Sequence, residues 1–131
     1  MITLDTHIII WDALQPEKLS PKARKAIDRA NEMGEIVIAD ISLWEIAMLM
    51  AKKRLNIDTT YIEFISLVRA ANHYVFESIT PEIADLSISL HSEINLDPAD
   101  RLICATSIVR VAPLVTADSN LRASKLLKTI W

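Results

Sequence analysis

The sequence predicts an α/β fold with a parallel sheet, and three observations point that way. Short apolar runs alternate with amphipathic stretches along the chain, the signature of successive β-α units. Glycine occurs once, at Gly34, and there is no repeat, linker or low-complexity tract, so long flexible loops are not expected. The 131 residues suit one domain, residues 1–131, large enough to bury about two-thirds of its unfolded surface.

The elements follow in order. Ile2 to Asp5 reads as a buried first strand. A short helix covers about Ile8 to Leu14. Ser20-Pro21 opens a second helix, with serine as N-cap and proline at the first helical position, and Gly34 ends it. Glu35 to Ala39 is the second strand. Helices follow over Ser42 to Arg54 and Thr60 to Asn72, and Tyr74 to Ile79 is the third strand. Thr80-Pro81 starts a helix running to about Ser92. Asp97-Pro98 starts another, ending near Val111. Pro113 to Thr116 is the fourth strand, Ser119 to Ala123 a short helix, and Lys128 to Trp131 a fifth, edge strand.

Composition narrows the function. Hydrophobic residues at 51% and charged residues at 24% place the chain among soluble globular proteins. No apolar run approaches the roughly 18 residues of a bilayer span, and the start lacks the pattern of a signal peptide. A single cysteine leaves no internal disulfide and fits a reducing cytosol, so the expected location is cytoplasmic, away from membranes. A net charge of −3 argues weakly against a nucleic-acid binder. Divalent cations among clustered carboxylates would reverse that local sign.

Ligands of open parallel sheets bind beyond the carboxyl ends of the strands. Four acids fall there: Asp5 after the first strand, Glu45 in the helix after the second, Asp100 in the helix opened by Asp97-Pro98, and Asp118 after the fourth. Each has a local reading. Ser42-Leu43-Trp44-Glu45 matches a capping box, Asp97 and Asp118 can cap helices, and Asp5 can close a turn. Together they mean more. Carboxylates crowded at one rim repel one another and stay ionised only beside positive charge. Hard oxygen donors with room for water suit magnesium, or manganese. Such an ion can activate water against a phosphodiester.

The same segments resemble a known family. Met1-Ile2-Thr3-Leu4-Asp5-Thr6-His7, Ser42-Leu43-Trp44-Glu45-Ile46-Ala47, Asp97 through Thr106 and Leu114-Val115-Thr116-Ala117-Asp118 are similar, in order and spacing, to the four acidic motifs of PIN domains. Within that family the chain resembles the toxin subunits of type II toxin–antitoxin pairs, the VapC-like proteins. The resemblance implies a three-layer α-β-α sandwich with a five-stranded parallel sheet in the order 3-2-1-4-5. It implies a metal-dependent endoribonuclease, acting in the toxin group often on transfer or ribosomal RNA. It implies a cognate antitoxin and a homodimer, and it places the catalytic and metal-ligating roles on Asp5, Glu45, Asp100 and Asp118. Asp97 competes with Asp100 for the third acid. Asp97 is the better cap, whereas Asp100 matches the family acid that precedes the arginine.

Around these acids, Thr6, Ser42 and Thr116 are small hydroxyls able to orient a carboxylate or a bound water. For Ser42, helix capping is the favoured role. Arg101 is a candidate for an RNA phosphate, with a structural ion pair favoured. His7 is expected on the rim, and His73 and His91 at helix ends. Cys104 and Trp44 are expected to pack, and so is Trp11, with stacking on a base as its alternative. Lys52-Lys53-Arg54 reads as a helix terminus, Arg122, Lys125 and Lys128 as a possible RNA path, and Met48 and Met50 as core or as a groove for an antitoxin helix.

Other classes fit poorly. A phosphorelay receiver wants an aspartate after the third strand and a lysine after a later one. A dehalogenase-type phosphatase wants an aspartate where His7 stands. One glycine cannot build a Gly-x-Ser-x-Gly elbow. The remaining alternative is a catalytically silent PIN-like module that binds RNA or protein, with the intact acidic tetrad arguing against it.

Overall fold

The computed structural model describes residues 1–90 and 97–131. In chain order the elements are β1 (Ile2–Leu4), α1 (Thr6–Leu14), a 3-10 turn (Pro16–Lys18), α2 (Pro21–Met33), β2 (Ile36–Ala39), α3 (Ile41–Ala51), α4 (Tyr61–Ala71), β3 (Tyr74–Glu77), α5 (Pro81–Ser89), α6 (Pro98–Val109), β4 (Leu114–Val115), α7 (Ser119–Ala123) and β5 (Thr129–Ile130). The predicted extension of α5 to Ser92, with His91, lies outside the described residues. The five strands form one sheet in the order β3-β2-β1-β4-β5, and every pairing is parallel. Both the fold class and the strand order agree with expectation.

Most helix starts are fixed by side-chain caps, α3 being the exception. Ser20 accepts from Ala23 N at 3.0 Å, and Thr60 and Thr80 accept from Glu63 N and Ile83 N, each at 3.2 Å. Proline occupies the first turn of α2, α5 and α6, where its missing N–H leaves no partner wanting. Gly34 ends α2 at φ +67°, a left-handed conformation that glycine adopts without strain.

Side chains alternate across a strand, so the sheet buries one set on each face. Ile2, Leu4, Ile36, Ile38 and Val115 face α1, α2, α3 and α4, meeting Ile9, Ile27, Ile46 and Phe64. Ala39 and Leu114 face the other way, towards Ile83 of α5, Ile103 and Cys104 of α6 and Leu121 of α7. The result is three layers, with a central sheet buried on both faces as parallel sheets require. Ile36, Val37, Leu114 and Val115 are completely buried. Each fully buried Ile, Val or Leu contributes about 1.5–3 kcal/mol from removal of apolar surface from water.

Several boundaries differ from expectation. The first helix begins at Thr6 rather than Ile8, because the Asp5 side chain caps it. α3 begins at Ile41 and ends at Ala51, three residues before Arg54. There Lys53 turns left-handed at φ +54°, closing the helix end, while Arg54 N bonds back to Leu49 O at 2.9 Å. Trp44 is 58% exposed rather than core. α3 buries Ser42 and Ile46, and a residue two positions away points about 200° around the helix. Met50 packs against the core around Ile46, whereas Met48 lines an outer groove. Cys104 is fully buried as expected, and burial together with the nearby Asp100 carboxylate holds its thiol well above the usual range.

Val111 follows α6 with φ +50° and is 86% exposed. A β-branched residue is strained in the left-handed region, and no buried contact compensates for it there. Val111→Gly is therefore expected to stabilise the protein by about 1 kcal/mol, strain relief outweighing the greater unfolded-state freedom of glycine. The urea midpoint should rise without a change in slope. A lowered midpoint would show that the valine side chain contributes more than its backbone strain removes.

Candidate active-site cleft

All strands run in one direction, so their carboxyl ends share one edge of the sheet. Each candidate acid is delivered there by a strand-to-helix junction. Asp5 leaves β1 and caps α1. Glu45 sits one turn into α3, which follows β2. Asp97 and Asp100 open α6, and Asp118 leaves β4 and caps α7. Together with His7, Trp11 and Ala117 they line an open cleft of about 320 Å³. Glu45, Asp97 and Asp100 each offer a carboxylate oxygen, and these oxygens lie within 4.8 Å of one another. The four acids singled out in the sequence thus converge, and Asp97 joins them while also acting as the cap, accepting from Ala99 N at 2.9 Å.

The floor of the cleft is ordered by hydroxyls. Asp5, only 8% exposed, accepts from Thr6 N through Oδ1 at 2.8 Å and from the Thr116 hydroxyl through Oδ2 at 2.8 Å. Thr116 also accepts from Asp118 N at 3.1 Å, so one side chain fixes both strand-end acids. The Thr6 hydroxyl lies 2.5 Å from Glu45 Oε1 and 3.0 Å from Ser42 Oγ. A hydroxyl has one proton to give, and the carboxylate can only accept, so Thr6 donates to Glu45 and Ser42 supplies the proton of the second bond. Ser42 is therefore no helix cap. It lies inside α3, fully buried, with Asp40 at the cap position, and the expected capping box does not form. The cap position lies two residues earlier than expected, at Asp40, so Ser42 falls within the first turn of α3, on the face packed against Thr6.

Electrostatics match the crowding. Burial raises the Asp5 carboxyl above its ordinary range, against the lowering effect of the Thr116 and Thr6 bonds. Burial also raises Glu45, with the Asp5 and Asp97 carboxylates adding to it. Asp100 is pushed up to about 7, first by burial and then by the charges of Asp5, Asp97, Glu45 and Asp118. Among the described residues no lysine or arginine forms an ion pair with any of these acids.

The neighbouring residues sort themselves by position. His7 is exposed on the rim as expected, its ring 6.2 Å from that of Trp11. Trp11 is half-buried and packs against Trp131 at 6.0 Å, as expected, and it also lines the cleft, the place its alternative role requires. The ion pair expected of Arg101 does not form among the described residues, where the side chain is half-buried. His73 Nδ1 lies 3.1 Å from Asn31 O, so it meets the carboxyl end of α2 rather than of its own helix. Arg122, Lys125 and Lys128 do not form one path. Lys128 precedes β5 and lines a pocket with Val111 and Pro113 at the opposite edge of the sheet.

A parallel sheet with carboxylates gathered past its strand ends defines an α/β protein with a cation-attracting cleft at its carboxyl edge. The chain belongs to the PIN domain family, whose model matches residues 2–125. It is 34% identical over 132 residues to Ribonuclease VapC22 of Mycobacterium tuberculosis, covering 99% of this chain and 98% of that one. Its fold is similar to that of VapBC2 from Rickettsia felis bound to a DNA fragment from their promoter, with a TM-score of 0.72 and 18% identity over 98% of this chain and 97% of that chain. It is similar also to a toxin–antitoxin complex from Klebsiella pneumoniae, with a TM-score of 0.66 and 22% identity over 96% and 94%.

The raised Asp100 carboxyl makes stability depend on pH. Its folded value of about 7 lies above the ordinary 3.8, so the folded chain holds a proton that the unfolded chain has released. The stability this contributes is complete below about pH 4 and is lost as pH rises through about 7. In chelator, the urea midpoint should therefore fall between about pH 4 and about pH 7 and level off above that. Asp100→Asn should flatten that fall and add about 1–3 kcal/mol at about pH 8. A wild-type midpoint that climbs over the same interval would contradict the charge crowding.

Proposed function

We propose that this chain is a metal-dependent endoribonuclease that hydrolyses RNA phosphodiester bonds, the toxin of a type II toxin–antitoxin pair acting in the cytoplasm. The supporting observation is the convergence of Asp5, Glu45, Asp97, Asp100 and Asp118 on one cleft with no basic partner among the described residues. Relatives point the same way: one is named a ribonuclease, and the similar solved structures include toxin–antitoxin complexes. No described helix is long and apolar enough to cross a membrane.

The donor set fits Mg²⁺, with Mn²⁺ as an equivalent: hard oxygens, several negative charges and an open cleft that leaves room for water. Asp5, Glu45, Asp100 and Asp118 would hold it, with Asp97 in reach of Glu45 and Asp100. When bound, such an ion offsets the acids' repulsion, lowers the pKa of a water and stabilises charge developing on the phosphate. The chain's own part is positional. Thr116 and Thr6 N clamp Asp5, and Thr6 aims Glu45, with Ser42 behind it. These bonds hold the carboxylates in place before substrate arrives, so little reorganisation remains when it does. Asp118 keeps one oxygen on its helix cap and leaves the other free. Arg101 remains a candidate contact for an RNA phosphate. The full acid set favours an enzyme over a silent binding module.

The antitoxin is expected in the groove of about 430 Å³ beside the cleft, where Ile41, Trp44 and Met48 of α3 face Pro98. An exposed tryptophan and an adaptable methionine suit an amphipathic helix. A homodimer is supported by apolar side chains left outward on α4 and α5, among them Ile62 and Ile88 at 71% and 70% exposed.

Purified free of antitoxin, the protein should cut single-stranded RNA with Mg²⁺ and stop on addition of chelator. Asp5→Asn should lower the rate at least about 100-fold, since it removes an ionised ligand, while the circular dichroism spectrum is retained. Cleavage at the wild-type rate by that variant would remove the ribonuclease assignment. Met48→Asp should loosen the complex with the product of the adjacent upstream reading frame, and an unaltered dissociation constant would place the antitoxin elsewhere.

A further inference from the structure

We propose that the groove between α2 and β5 guides the phosphate backbone of a single-stranded RNA substrate to the cleft; this rests on the ribonuclease reading above. Lys22, Lys25 and Arg29 line that groove, which measures about 460 Å³. At positions i, i+3 and i+7 they fall on one flank of α2, over about 10 Å of helix, enough to meet successive phosphates. All three are exposed, and none is in an ion pair among the described residues. The other flank of α2 is neutralised: Arg24 pairs with Asp12 at 2.9 Å and with Asp28 at 3.2 Å. Glu35, the acid lining the groove, is paired with the Met1 ammonium at 3.2 Å. A chain of net charge −3 thus keeps three cations on one flank of α2, with the exposed Glu32 one turn beyond Arg29 on the same flank.

The groove and the cleft share no lining residue and are linked through neighbouring aromatic side chains. Ile130 lines the groove, and the next residue, Trp131, packs on Trp11, which lines the cleft. Lys18 Nζ sits 5.5 Å from the Trp11 ring centroid and carries the line of cations up to the rim. Cations along a groove beside aromatic faces are the usual means of holding a single strand without reading its sequence. The physical need is plain: a cleft of carboxylates repels a polyanion, and binding must be gained outside it. A protein partner would be served by the apolar groove at Trp44 and Met48 and has no use for a path leading to the carboxylates.

The test uses the full chain carrying Asp5→Asn, so that RNA binds without being cut, and an oligouridylate of about 20 nucleotides followed by fluorescence anisotropy over a range of NaCl. Adding Lys22→Ala, Lys25→Ala and Arg29→Ala should lower the slope of log affinity against log salt by about 2, at about 0.7 per cation removed, with an unchanged melting temperature. Lys52→Ala with Arg54→Ala, on the distant end of α3, should leave the slope as it was. With Asp5 restored, the triple variant should lose about 10-fold in kcat/KM on the long oligomer and keep wild-type cleavage of a tetranucleotide that occupies the cleft alone. An unchanged slope overturns the proposal, as does an equal loss per charge at Lys52 and Arg54. A change in sedimentation with an unchanged slope would give this face to a second copy of the chain and overturn it too. If the wild type cuts no RNA, the ribonuclease reading itself fails; if it cuts while the triple variant cuts the long oligomer equally well, only the groove assignment falls.

Discussion

Mutual repulsion among carboxylates at one sheet edge is the constraint around which this molecule is organised. Asp5, Glu45, Asp97, Asp100 and Asp118 come from four distant parts of the chain and line the same cleft. Burial first, and then the charges of the neighbouring acids, lift Asp100 to about 7, and burial chiefly raises Asp5 and Glu45 above their ordinary values. A fold that assembles such a cluster holds it against its own electrostatics, and the opposing stability comes from elsewhere. Here that source is the sheet, whose central strands are buried on both faces between two layers of helices.

The hydrogen bonds around the cleft serve precision more than stability. Thr116 joins the ends of β1 and β4 by donating to Asp5 and accepting from Asp118 N. Thr6 joins α1 to α3 through Glu45 and Ser42. All three hydroxyl residues are buried. The bonds of Thr116 with Asp5 and of Thr6 with Glu45 and Ser42 tie together segments separated widely in sequence, so these acids are held as a set with the sheet. Buried, satisfied networks of this kind rigidify a site.

Much of this was legible in the sequence because it is written in short-range patterns. Ser20-Pro21, Thr80-Pro81 and Asp97-Pro98 mark helix starts by cap chemistry, and Gly34 marks a helix end. The four acids stand at strand-to-helix junctions, and a parallel sheet sends all such junctions to one edge. The errors have a physical cause too. Ser42 and Trp44 were assigned by a capping pattern and by hydrophobicity. The helix begins at Ile41 instead, which turns Ser42 inward to Thr6 and Trp44 outward to solvent. Successive side chains of a helix point about 100° apart, and which of them face inward is set by how the helix packs, which a local capping pattern does not fix.

By itself the sequence determined which segments become strands and helices, where most of them start, and which acids stand beyond the strand ends. Those features depend on neighbours a few residues away. Only the tertiary structure decided that Asp97 shares the cleft with Asp100, that the Thr6 hydroxyl reaches Glu45 across 39 residues, and that Lys22, Lys25 and Arg29 line one groove with Ile130. Such relations depend on how layers pack and how helices rotate about their axes, and packing is settled by contacts between residues far apart along the chain.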